Sequence, residues 1–354
     1  MSKKKEIRSD ENKKNENIID SEILLKNENN LKFYLKSDFI KDSYACHTLP
    51  NTFTIFKSIN DLLYLIYSTE TNSIICYDLN KEKKYTEIKN AHEDWCVNLR
   101  HYLDTINKRD IIISLFGIDN LKLWDAKNFE CIIYLSNINK VGLLYSAYLL
   151  RDNNINYIIT SSYLSLKDVE PVKIFNLNGK LIKNIKNSNE STLILYNYFD
   201  KNLSKNYIIT GNFNYIKSYD YTSNTIYHKY FDIKNDLFHT DIMIISDENI
   251  IKLIETCRDG YIRIWDFHSG LLLKRINLEE YGQQYSLCLW DNQHLLVGCK
   301  NNMILLNFHN NNLIYIFDNS IQLTIKKIYL YKYGECIISQ GLGEDSIKIW
   351  INKK

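Results

Sequence analysis

Residues 259–270, "DGYIRIWDFHSG", place Asp259, Arg263, Asp266 and His268 close together in the chain. A carboxylate, a guanidinium and an imidazole at such spacing are the ingredients of proton transfer. A second set, His92, Asp94 and Ser114, has the types of a nucleophile, its base and an orienting acid. "GLGED" at 341–345 carries the Gly-x-Gly of a phosphate loop, and Glu279-Glu280 and Glu344-Asp345 are paired carboxylates. Each has a plainer explanation. No helix pattern follows the glycines to present N–H groups to a phosphate. The acidic pairs fall in turn-like segments. The eight histidines form no HxH or HExxH pattern and the eight cysteines no CxxC pair, so no metal site and no cofactor are expected.

The elements that must hold these residues are repeated. Aligned on an apolar anchor that closes a short run, seven copies appear: Tyr77, Trp124, Phe175, Tyr219, Trp265, Leu306 and Trp350, spaced 41 to 51 residues apart. Two residues before the anchor stands a base in five of them: Lys122, Lys173, Lys217, Arg263 and Lys348. An upstream run ends in a hydroxyl in six: Ser68, Ser114, Thr160, Thr210, Thr256 and Ser339. The runs are short, rich in Ile, Leu and Tyr, and separated by Asn, Asp and Gly, which is the signature of strands and turns. Asp259-Gly260 signals a tight hairpin, and Asp266 is placed to accept a backbone hydrogen bond two residues on. The spacing predicts an all-β, seven-bladed propeller of four-stranded antiparallel blades.

These residues resemble the WD-repeat propeller family over roughly residues 40 to 354, through "LKLWDAKN", "DGYIRIWDFHSG", "DSIKIW" and "KNAHEDWCVNL". The resemblance implies that a His, a hydroxyl, an Asp and the Trp brace a blade. Carried over by position, these are His92, Ser114, Asp119 and Trp124 in the second blade, and His239, Thr256, Asp259 and Trp265 in the fifth. The other blades depart from the pattern in Trp or His. The resemblance also implies a contact face built from the loops entering the inner strands and the second-to-third-strand turns. Mapped here, it selects Trp95, Ile118, Phe213, Arg258, Lys300 and Glu344 as partner-binding residues.

The charged start, residues 1–30, reads as a disordered tail, and 31–354 as one propeller. The last copy ends four residues after Trp350 and lacks an outer strand. An open blade edge invites aggregation, so an N-terminal segment within 31–49 must complete it. "LKFYL" at 31–35 and "SYACHTL" at 43–49 are the candidates, spacing slightly favouring the second. A net charge of +2 gives no case for nucleic acid. No apolar run reaches the ~18 residues of a membrane helix, no signal peptide is evident, and an intracellular, cytoplasmic or nuclear setting without membrane insertion is expected. The expected function is a non-catalytic scaffold for a protein or peptide on the propeller face. The alternative is a substrate-receptor or adaptor subunit of a ubiquitin ligase or other multiprotein complex, for which "LWDAK" with Lys127 is a weak indication. A lipid-binding propeller is disfavoured because the Phe-Arg-Arg-Gly motif of such propellers is missing, and an enzyme would need convergent carboxylates or metal ligands that the sequence does not supply.

Overall fold

The structure, a computed structural model, describes residues 20–21, 24–25 and 31–353, except 42, 44–52, 118–119, 137, 139–142, 164–170, 186–191, 234–236, 248–249, 319–321, 343 and 345. Seven antiparallel blades follow one another along the chain. Their inner strands are Phe53–Lys57, Cys96–Asp104, Leu143–Asp152, Ile194–Asp200, His239–Asp247, Gln284–Leu289 and Gln322–Leu330. The fifth blade is typical: inner strand His239–Asp247, second Ile250–Cys257, third Tyr261–Asp266 and outer Leu272–Asn277.

The ring is held by apolar burial between blades. Seven clusters each draw on two neighbouring blades, with no gap around the circle. The fourth–fifth junction packs Ile194, Tyr207, Ile209 and Tyr230 against Ile242, Leu253, Trp265 and Phe267. The seventh–first junction packs Ile338 and Ile349 against Phe53 and Leu65.

Two local devices recur. After the anchor, an Asp or Asn turns the chain by accepting backbone hydrogen bonds from residues two to four positions on. Asp78, Asp125, Asn176, Asp220, Asp266 and Asn307 all do so, at 2.8–3.2 Å. Just before the anchor, the register against the outer strand slips by one residue in the same six blades. Such a bulge bends the strand and sharpens its twist, which suits a blade that must splay away from the axis. The WD-like dipeptide is therefore the sequence trace of a bulge and a turn.

The seventh blade is completed by Lys32–Lys41, antiparallel to Ser346–Lys353, with Leu35 opposite Trp350 and Ile40 opposite Ile347. The alternation in "LKFYL" explains why: Leu31, Phe33 and Leu35 all pack on the sixth–seventh core. Phe33 meets the rings of Trp290, Tyr315 and Phe317 at centroid distances of 5.6, 5.1 and 4.7 Å. Nearly all of 43–49, the segment that spacing favoured, lies outside the described residues. Spacing counts residues but does not see which face of a strand is apolar. Upstream, Asp20–Ser21 runs parallel beside the outer strand of the fifth blade and Leu24–Leu25 beside that of the sixth. No helix among the described residues is long and apolar enough to cross a membrane.

Candidate functional site: the loop face

The residues with apparent chemistry fall first on the braces inside the blades. In the second blade, Trp124 Nε1 donates to Ser114 Oγ at 2.8 Å, both groups buried. His92 stacks on Phe116 with centroids 4.1 Å apart and meets Trp124 edge-on. Neither of its ring nitrogens has a partner among the described residues. Burial, aided by the Lys122 ammonium, pushes the His92 imidazole down to about 3. Burial thus favours its neutral form, and the Ser114 hydroxyl is engaged by Trp124 instead. Asp119 and Ile118 lie outside the described residues. In the seventh blade Trp350 Nε1 donates to Ser339 Oγ at 3.0 Å, repeating the second.

The fifth blade differs from expectation. Trp265 Nε1 donates to Glu255 Oε1 at 3.1 Å, and His239 Nδ1 bonds Glu255 Oε2, so Glu255 takes the place assigned to Thr256. Thr256 instead accepts from Thr240 Oγ1 at 3.0 Å. Strand register gives the reason. Ser114, Thr160, Thr210 and Ser339 stand opposite the basic column, at Lys122, Lys173, Lys217 and Lys348. Arg263, however, stands opposite Glu255, and Thr256 faces the other way, because successive strand residues alternate sides. Asp259 binds Arg263 through both carboxylate oxygens rather than meeting His239.

The basic column has a further role that alignment alone did not reveal. Lys122 Nζ donates to the carbonyl of Ala91 at 2.7 Å, and Lys173 Nζ to that of Ile138 at 3.1 Å, both in the linker entering the blade. Arg263 does the same to the linker between the fourth and fifth blades, donating from Nε to Asp232 Oδ2 at 2.6 Å. Arg275 adds two bonds to Asp232, each 2.7 Å. Asp232 and Arg263 are buried completely or nearly so, and Arg275 almost so. Two guanidiniums thus clamp one carboxylate. Around it the linker "FDIKNDLF" turns its apolar side chains outward: Phe231 is 37% exposed, Ile233 66% and Leu237 38%.

Linkers and second-to-third-strand turns share one end of the ring, laced by backbone bonds. Gly117 N donates to Trp95 O at 3.0 Å, Arg258 N to Phe238 O at 2.9 Å, and Lys300 N to Gln283 O at 2.7 Å. Trp95, Phe238 and Gln283 are therefore equivalent positions. Across this face a ribbon of rings runs from the third blade to the sixth. Tyr145 meets Tyr163 at 5.5 Å, Tyr163 meets Phe213 at 6.3 Å, and Phe213 meets Phe238 at 3.6 Å. The Arg258 guanidinium then lies 5.2 Å from the Phe238 ring and 5.4 Å from that of Tyr285. Tyr285 packs with Leu323 and Leu342, which carries the ribbon into the seventh blade. Tyr145, Tyr285 and Leu323 are the extra residues of bulges at the starts of inner strands, and a bulge re-aims a side chain.

Of the residues selected on the sequence, Phe213 and Arg258 join this ribbon. Trp95 stands on the same face, 39% exposed, and Lys300 is exposed beside Gly282. Glu344 turns inward, accepting from Lys348 Nζ at 2.6 Å and from Gly341 N at 3.1 Å, an i,i+4 pairing like that of Asp259 and Arg263. Phe238, the outward linker residues and Tyr285 were not selected. The signal available for them was four large apolar residues inside a linker, where turn-forming polar residues are the rule.

Asn98, Arg100, Tyr148, Tyr196 and Asp241 line a cavity of about 20 Å3, enough for one water. Burial raises the Asp241 carboxyl above the usual range, although it accepts from the amides of Ile242 and Leu287 at 2.9 and 2.8 Å. Among the described residues no three His, Cys, Asp or Glu are grouped to hold a metal ion. No protein-family model matches the sequence, and no curated protein matches it as a relative.

Proposed function

We propose that this seven-bladed propeller is a non-catalytic scaffold of the WD-repeat kind that binds a protein or peptide segment across the loop face of its fourth to sixth blades. The observation that carries this is the linker entering the fifth blade, clamped at Asp232 and described at residues 231–233, 237 and 238. A buried carboxylate held by two arginines fixes the backbone, and the same segment shows Phe231, Ile233 and Leu237 to solvent. Large apolar side chains on a fixed loop lose little ordering entropy on binding. Burying what each still exposes gains about 0.5–2 kcal/mol, and the aromatic ribbon beside them widens the contact. The braces at Trp124, Trp265 and Trp350 support this face rather than forming a site themselves.

Photo-crosslinking tests the reading. A benzoylphenylalanine at Leu237 should trap one partner in the protein's native cell extract. The same group at Ile59, an exposed residue in an inner-to-second-strand turn at the other end of the ring, should not. Crosslinking to the same partner from Ile59, or none from Leu237, would refute it.

A further inference from the structure

Arg258 specifies the chemistry of the partner, an inference that rests on the loop-face reading. The other two arginines of the fifth blade are engaged: Arg263 on Asp232 and Asp259, Arg275 on Asp232. Arg258 is not. Its guanidinium lies against the rings of Phe238 and Tyr285, and its Nε is buried with no hydrogen-bond partner. Among the described residues it makes no side-chain hydrogen bond and no ion pair. Its backbone is fixed by the bond to Phe238 O. Arg258 as a whole is only partly buried, and its terminal nitrogens, unlike Nε, are not sealed from solvent, so an incoming acceptor can reach them.

The surrounding charges select the acceptor. Glu279 packs on Gly260, two residues from Arg258, and accepts from Tyr261 OH at 3.2 Å. Glu280 is exposed in the same linker, and Lys300 is exposed against Gly282 of that linker. A phosphate dianion would bring two charges to a single free guanidinium whose turn is packed by one carboxylate, Glu279. A carboxylate brings one, and a planar guanidinium can bind it through two parallel N–H groups. We propose that Arg258 is the receptor for an acidic side chain, Asp or Glu, flanked in the partner by apolar residues that settle on Phe238 and the outward linker. The shared chemistry is an anionic oxygen, and a phosphorylated residue or a terminal α-carboxylate is its other source.

The test uses four probes titrated into the full-length protein: acetyl-Phe-Glu-Leu-amide, its Gln analogue, its phosphoserine analogue, and acetyl-Phe-Leu with a free α-carboxylate. The readout is the Nε–Hε signals of the seven arginines, with that of Arg258 assigned from its loss in Arg258→Lys. The Glu peptide should shift the Arg258 signal saturably and bind about tenfold tighter than the Gln peptide. Arg258→Met should abolish that tenfold difference, and Arg258→Lys should restore part of it. Tighter binding of the phosphoserine or free-carboxylate probe than of the Glu peptide would overturn the choice of an acidic side chain. Equal binding of the Glu and Gln peptides, weakened alike by Phe238→Ala, would overturn the receptor while leaving the loop-face reading intact. Binding of all four probes with no shift at Arg258 and no effect of Phe238→Ala would overturn both.

Discussion

Replacing Asp232 removes the acceptor of three charge-assisted hydrogen bonds from two buried guanidiniums, at 2.6, 2.7 and 2.7 Å. Breaking a buried ion pair from one side costs about 3–5 kcal/mol, because the remaining charge keeps its desolvation penalty. Arg263 retains Asp259, which holds the expected cost of Asp232→Ala near the middle of that range, about 4 kcal/mol. At about 2 °C per kcal/mol for a domain of this size, the melting temperature should fall by about 8 °C. Asp232→Asn keeps the shape and loses the charge, so it should cost roughly half as much. The double variant Asp232→Ala, Arg275→Met strands one fewer charge and should recover a good part of the loss. Urea unfolding followed by tryptophan fluorescence gives each value. A cost below about 1 kcal/mol for Asp232→Ala, or simple additivity in the double variant, would show that the clamp does not hold the linker.

Two further outcomes follow from the braces and the closure. Phe33→Ala removes a ring packed on Trp290, Tyr315 and Phe317 from the closing strand, and should cost about 2–3 kcal/mol because the site is partly buried; a cost under about 0.5 kcal/mol in thermal unfolding would remove this strand from the ring's support. His92 binds a proton near pH 6.5 when unfolded and only near 3 when folded, where burial opposes its charge. Its contribution is therefore complete above 6.5 and is lost as pH falls toward 3, about 2 kcal/mol of it between pH 7 and 5. His92→Phe should lack that component of the acid slope, and an identical slope in the two proteins would contradict it.

The repeat was legible because one sequence solves the same problem seven times. A turn-forming Asp or Asn after the anchor is a local requirement, and local requirements leave a regular mark. Register and tertiary pairing leave none. Thr256 and Glu255 are adjacent, and only the pairing of Arg263 with Glu255 decides which faces Trp265. Asp232 and Arg275 read as ordinary surface charges in a linker and an outer strand, yet both are buried, because each neutralises the other across 43 residues of sequence. Arg258 was selected for its place in a turn; its free guanidinium between two rings is visible only once Phe238 and Tyr285 arrive from neighbouring segments. The closing strand shows the same limit, since two β-prone segments compete and core contacts with Trp290 and Phe317 decide between them.

We propose a division of labour: apolar burial between blades, with the tryptophan braces, holds the ring, and the clamped linker makes the contact. Purification of the tagged protein with its bound partners, beside thermal unfolding of the same variants, tests this most directly. Ile233→Ser with Leu237→Ser changes exposed side chains and should remove a stoichiometric partner while the melting temperature stays within about 1 °C, as surface substitutions do. Trp124→Phe leaves Ser114 without its donor and should lower the melting temperature while the folded fraction keeps the partner. An undiminished partner in the linker variant, or its loss from folded Trp124→Phe protein, would contradict the account.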